Sequence, residues 1–342
     1  MKATLDSLCY EMEKSTTKVE VQIKCIDALA TVLKSERDIE SFQHALNCVS
    51  TAIRNNDADV NVIIHALNLF TFLIQIQRLS PILEQSDIVR QHITIIDMIK
   101  DDPQISIMAL NNIEFLIKNP RMKEQFQDEL FVKTLISLLR LHTKSEEHAK
   151  SAVAISHYLN PELGKGLKKL CSLLVIFSQN FADNENLQTQ LLISFLNIAN
   201  DDILSEKASI ALPHFVRISQ TFTNNFSIFQ SVLTLANRCP SEYCPKVLIN
   251  LILANHEKLL SNRDSFQEAI SVLYHKFKGT DLPPEIAILT YYSLIILSSD
   301  AKSVKQSLAV CYYVLSKNPG YLPPDVDLLS AISSVLLIHL SD

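Results

Sequence analysis

Only four of the 342 residues are glycine: Gly164, Gly166, Gly279 and Gly320. An ordinary globular chain carries about 7%. Parallel sheets, phosphate loops and tight hairpins use glycine wherever φ must be positive. A chain this poor in it has few such turns, and the fold class it predicts is all-α. The twelve prolines fall mostly at segment boundaries, and a helix start tolerates the missing N–H.

The hydropathy pattern agrees. A period near 3.6 runs through almost the whole sequence. It predicts helices over 3–14, 18–34, 37–54, 59–76, 86–100, 104–118, 128–142, 145–158 and 162–180. The pattern continues over 186–199, 201–219, 223–237, 242–259, 263–277, 284–298, 300–316 and 324–340. Spacers are short and rich in Asn, Asp, Ser and Pro, residues that stop one helix and cap the next. No long linker or low-complexity stretch interrupts them, so 1–342 reads as a single helical domain, and its apolar last helix makes it the expected N-terminal domain of a longer protein. At 47% hydrophobic and 20% charged, the chain can bury a large core.

Some segments repeat. HALNLFTFLI (His65–Ile74) returns as MALNNIEFLI (Met108–Ile117), 43 residues on, and HALNCVSTAI (His44–Ile53) is a third variant. Near the end, LPPEIAILTYYSLIIL (Leu282–Leu297) and LPPDVDLLSAISSVLL (Leu322–Leu337) lie 40 residues apart. Helix pairs recurring at about 40–47 residues mark armadillo or HEAT arrays. One such pair cannot cover its apolar face alone, so neighbours stack into a continuous core. The chain resembles an armadillo/HEAT-type α-solenoid, most clearly over 56–119, and Ala109–Ile113 (ALNNI) resembles the third helix of an armadillo repeat. The resemblance implies a right-handed superhelical solenoid of about eight helical repeats. The short glycine-marked turn between the first two armadillo helices is missing. So is tryptophan, and with it the Trp-x-x-x-Asn array of the nuclear-import adaptors.

Within 60–76, Ala66, Leu67, Phe70, Leu73 and Ile74 form one apolar stripe. At about 100° per residue, Asn68 stands about 160° from its centre, in a second register with Asn61, His65, Phe72 and Gln75. A shift of 43 gives Gln104, Met108, Asn111, Phe115 and Lys118. Two further shifts bring Glu147, Ser151, Ala154 and Tyr158, then Gln190, Ser194, Asn197 and Asp201. An asparagine amide both donates and accepts, so a row of them can hold the backbone of an extended peptide. His65, Asn68, Phe72, Met108, Asn111, Phe115 and Asn197 are therefore the expected partner-binding groove. The alternative is that these asparagines bond the next repeat or face water.

Little else carries chemistry. A net charge of −6 disfavours general nucleic-acid binding. Gly164–Lys169 (GKGLKK) resembles a phosphate loop only superficially, lacking the preceding strand and the Ser/Thr. Lys165, Lys168 and Lys169 are at most a basic patch for an acidic partner. Cys239 and Cys244 lack two further zinc ligands at a standard spacing. Cys9, Cys25, Cys48, Cys171 and Cys311 sit in apolar stripes and read as small hydrophobes. His44 and His65, three residues before an asparagine, read as face residues and not metal ligands. No catalytic, metal or cofactor site is expected. The start is not a secretory signal, and the longest apolar run, 286–297, is too short to span a bilayer. Cytoplasmic or nuclear residence follows.

The last expected helix is apolar on nearly all sides, where a terminal cap should have a polar outer face. Val335, Leu336, Ile338 and Leu340 are expected to pack against a second copy or another partner. The reading is a non-enzymatic scaffold or adaptor that binds a protein segment and forms a homodimer through its C-terminal helices. Alternatives are an assembly chaperone or regulatory subunit of a large complex, and a chromosome- or nucleic-acid-associated factor using the lysine patch.

Overall fold

The computed structural model describes residues 2–36, 38–56, 59–277, 280–319, 321 and 327–339. They are all-helical, with no strand among the described residues. The chain forms two compact units, Met1–Asn180 and Phe181–Asp342.

The first unit holds α1 (Lys2–Lys14), α2 (Val19–Leu33), α3 (Ile39–Asn55), α4 (Val60–Ile74), α5 (Ser80–Gln85) and α6 (Ile88–Ile99). It continues with α7 (Pro103–Ile117), α8 (Pro120–Lys123), α9 (Glu129–Leu141), α10 (Glu146–Ser156) and α11 (Lys165–Asn180). Two rows form. In one, α2 packs on α4, α4 on α7 and α7 on α10; in the other, α1 packs on α3, α6 on α9 and α9 on α11. The rows meet along apolar faces: Val62, Ala66, Phe70 and Leu73 of α4 are fully buried, as are Ala109, Leu110 and Ile113 of α7. Each large aliphatic or aromatic side chain taken out of water contributes about 1.5–3 kcal/mol.

Buried polar side chains tie helices within a row. Asn112 of α7 accepts from Thr71 Oγ1 at 2.8 Å and donates to the Leu67 carbonyl at 3.3 Å, both on α4. Ser106 of α7 meets His148 Nε2 of α10 at 2.9 Å.

The second unit holds α12 (Glu185–Ile198), α13 (Asp201–Thr221), α14 (Phe226–Arg238), α15 (Val247–Ala254) and α16 (His256–Leu260). After them come α17 (Arg263–Lys276), α18 (Ile286–Ile296), α19 (Ala301–Lys317) and α20 (Leu328–His339). Here α12 packs on α14, α14 on α17 and α17 on α19, while α18 packs on both α19 and α20. Gln230 of α14 donates to Ser265 of α17 at 2.5 Å, and Gln267 of α17 donates to Asp300 at 3.1 Å.

Each of the seventeen expected segments has a helical counterpart. Three differences arise. The expected 242–259 is broken into α15 and α16 at Asn255, a buried residue whose amide bonds the Leu251 carbonyl at 2.9 Å. The short helices α5 and α8 lie in stretches between the expected helices, each with a proline in its first turn. Capping is as the spacer composition implies: Asp38, Asp59, Asp102, Asp128, Ser145, Asn184, Asn200, Asn225, Asn262 and Asp300 each accept a first-turn N–H.

Candidate functional site

The expected groove residues divide between the units. In the first, α4 and α7 lie side by side and carry six of them. Asn68 and Asn111 are exposed, and Phe72 and Phe115 keep 40% and 49% of their surface open to water. His65 and Met108 are half-buried. His65 Nδ1 lies 2.7 Å from Asp27 Oδ1 of α2, which fixes the ring at the edge of this face. Phenylalanine loses favourable burial energy when left in water, so an exposed ring and an exposed amide one turn apart on each of two packed helices give this part of the surface both apolar and hydrogen-bonding capacity.

The asparagine that binds the neighbouring helix is Asn112, one position further along α7. A step of about 100° separates Asn111 from Asn112. That step puts Asn112 in the packed interface, 2% exposed, and leaves Asn111 on the open face.

Asn197 is exposed on α12, in the second unit. The third Ala-Leu-Asn variant also lies elsewhere. Asn47 is on α3, in the other row of the first unit, and accepts from Gln43 Nε2 at 2.9 Å. Its face holds a cluster that the sequence reading did not assemble. Cys9 of α1 and His44 and Cys48 of α3 have ligand atoms all within 4.8 Å of one another. Glu13 Oε1 stands 3.7 Å from Cys48 Sγ and 3.8 Å from His44 Nε2. The hydrogen bond from Cys48 holds the Cys9 thiol below its ordinary pKa, while the same bond and burial push Cys48 up. The signal for this cluster was the i,i+4 spacing, Cys9-x-x-x-Glu13 and His44-x-x-x-Cys48, which sets each pair on one helix face.

The glycines of the GKGLKK stretch have structural roles. Gly164 has φ +61°, a conformation L side chains rarely adopt. Gly166 lets α11 approach α9: an added Cβ would stand 2.8 Å from Val132 Cγ1. Lys165 and Lys169 are exposed and Lys168 half-buried, on the first turn and a half of α11. Cys239 and Cys244 share a neighbourhood, but burial pushes their thiols up to about 12 and about 11, so both stay protonated and unreactive.

At the other end, Val335 is 3% exposed and packs with Leu294, Val304, Cys311, Leu328 and Ala331 in the core of its own unit. That inward position, together with the bond between His339 Nε2 and the Ser298 carbonyl at 2.8 Å, docks α20 on the preceding helices. Leu336 and Ile338 are exposed. Leu340 lies outside the described residues. The same unit has an apolar groove of about 290 Å³ lined by Leu273, Tyr274, Phe277, Val310, Tyr312 and Tyr313, none of them anticipated as site residues. No single helix among the described residues is long and apolar enough to cross a membrane.

Set against known proteins, the chain matches no protein-family model, and no curated protein or solved structure is significantly similar to it.

Proposed function

We propose that each unit is a run of armadillo/HEAT-like helical repeats, about eight over the whole chain, and that the protein is a non-enzymatic scaffold or adaptor. Its ligand is an extended protein segment laid across α4 and α7. The observation that carries this reading is the pairing of the exposed Asn68 and Asn111 amides with the exposed Phe72 and Phe115 rings on adjacent packed helices. The amides fix the peptide backbone at both its donors and its acceptors. The rings take up apolar side chains between them, and such aromatic anchors dominate peptide and protein interfaces. Cytoplasmic or nuclear residence accords with this role.

A display library of random peptides, selected against the full chain, tests the proposal. Selected peptides are expected to lose at least tenfold in affinity for Asn68→Ala/Asn111→Ala, and to crosslink to a photoreactive residue placed at 72 or 115. Peptides that bind the double variant unchanged, with circular dichroism intact, overturn it.

A homodimer through α20 is a second proposal, favoured by the exposed Leu329, Leu336 and Ile338 on one short helix. Light scattering over a hundredfold concentration range tests it. The mass is expected to rise towards twice the monomer value and to stay at the monomer value in Leu336→Glu. A constant monomer mass in the unaltered chain ends the idea.

A further inference from the structure

We propose that Cys9, Glu13, His44 and Cys48 form a structural Zn²⁺ site that clamps α1 to α3. The site is independent of the α4–α7 face. It departs from the expectation, drawn from the sequence, that no metal is held and that Cys9 and Cys48 are only small hydrophobes.

Geometry comes first. Two helices each supply an i,i+4 pair, and α1 packs directly on α3, so three ligand atoms converge from two rigid elements and the Glu13 carboxylate stands beside two of them. A tetrahedral Zn²⁺ with bonds of about 2.3 Å to sulfur and about 2.0–2.1 Å to nitrogen or oxygen sets its ligands about 3.4–3.8 Å apart. The observed separations from Cys48 Sγ are 4.0 Å to His44 Nε2 and 3.7 Å to Glu13 Oε1, and His44 Nε2 is 3.8 Å from Glu13 Oε1. The Cys9 sulfur lies within 4.8 Å of both the His44 and the Cys48 ligand atoms. Short movements of Cys9, His44 and Cys48 close these three on an ion, and Glu13, whose carboxylate faces Cys48 and His44, swings in from the exposed side as the fourth ligand. The side chains that must move most easily are the ones with room: His44 is 50% and Glu13 56% exposed, while both sulfurs are anchored by burial. A cleft of about 120 Å³ lined by Met12, Glu13, Thr16, His44 and Asn47 opens beside the cluster and gives an ion its entry.

The donor set selects the metal. Two thiolates and an imidazole suit Zn²⁺, and exclude Mg²⁺ and Ca²⁺, which require oxygen ligands. With Glu13 as the fourth ligand no position is left for a reacting water, which marks a structural and not a catalytic site. Zn²⁺ binding releases the protons of the Cys9 and Cys48 thiols to solvent, and no electron is exchanged.

The test uses the full chain, stripped with a chelator under reducing conditions and titrated with Zn²⁺ against a competing indicator, with Co²⁺ as a spectroscopic substitute. One ion per chain is expected, and Co²⁺ should show a thiolate charge-transfer band and the strong ligand-field absorption of a tetrahedral site. Cys9→Ser/Cys48→Ser should abolish binding. His44→Ala and Glu13→Gln, both at exposed side chains, should each weaken it at least tenfold with helicity unchanged. Cys239→Ser/Cys244→Ser should leave it unaltered. Zn²⁺ should raise the thermal midpoint of the unaltered chain and not that of His44→Ala. The proposal fails if the unaltered chain takes up no stoichiometric ion, if His44→Ala retains full affinity, or if the ion follows Cys239 and Cys244. It fails equally if thiol counting finds Cys9 and Cys48 joined in a disulfide in the chain as isolated.

Discussion

Asn111 and Asn112 are adjacent and chemically identical, yet they have opposite environments. Asn112 exchanges its water for Thr71 and the Leu67 carbonyl, whereas Asn111 keeps its amide in solvent. Removing a buried partner leaves the other group desolvated and unpaired, at a cost of about 1–3 kcal/mol. Substitution at an exposed position usually changes stability by less than about 0.5 kcal/mol. Asn112→Ala should therefore lower the denaturant midpoint clearly, and Asn111→Ala should leave it within error; equal shifts would contradict the placement of the two amides. The sequence made half of this legible. A phase calculation put Asn68 and Asn111 away from the apolar stripe, and both are exposed. It offered no reason to read Asn112 as a tie between helices, because its partners, on α4, lie 41 and 45 positions back in the chain. The glycines show the same limit. Gly164→Ala forces a Cβ into a φ of +61° with ψ −129° and should cost about 1–3 kcal/mol, an effect readable only once the backbone is known.

Helices were legible where they are long. A window of period 3.6 needs several turns to register, so α4, α7 and α13 stand out, the last running through Pro213. The six-residue α5 and four-residue α8 are too short to show a period. Caps were legible from spacer composition, and their strengths differ with what else each carboxylate holds. Asp102 accepts only from Gln104 N and Ile105 N, both at 2.9 Å. Asp300 accepts from Ser303 N at 3.0 Å, from the Ser303 hydroxyl and from Gln267 Nε2 at 3.1 Å on α17, and the Ser303 hydroxyl holds its carboxyl below the usual range. Asp102→Ala should cost about 1 kcal/mol, the ordinary value for a lost cap. Asp300→Ala should cost more, because it also strands Gln267 and Ser303. If urea unfolding ranks the two variants the other way, the cross-helix bond to α17 contributes nothing. The cluster of Cys9, His44 and Cys48 was half legible for the same reason as Asn112. Each i,i+4 pair is visible within its own helix, but that α1 lies against α3 comes from packing.

At the scale of the whole chain, the protein should be sensitive to mild acid. His92 is fully buried, with Nδ1 2.8 Å from the Ile88 carbonyl, and burial lowers its pKa from 6.5 to about 4. Burial does the same to His148, helped by the stacked His142 ring at 4.3 Å, and to His214, helped by Arg217. Each is neutral in the folded chain at a pH where the unfolded chain would be protonated. Between about 6.5 and 4 the unfolded state thus binds more protons, so the stability these residues provide is complete above 6.5 and is lost as the pH falls towards 4. Each fully linked proton gives a slope of about 1.4 kcal/mol per pH unit. Glu268 acts in the opposite sense, since burial raises its pKa and its protonated form is the better tolerated, so its penalty is relieved as the pH falls. Denaturant midpoints measured from pH 7.5 to 4.5 should fall steeply below 6.5, and His92→Gln should flatten the curve by about one proton relative to the unaltered chain. A midpoint that stays level down to pH 4.5 would mean that these imidazoles reach water in the folded protein. Their pKa values would then lie near 6.5, and the packed interfaces around Phe70, Ser106 and Phe215 would be looser than the buried side chains imply.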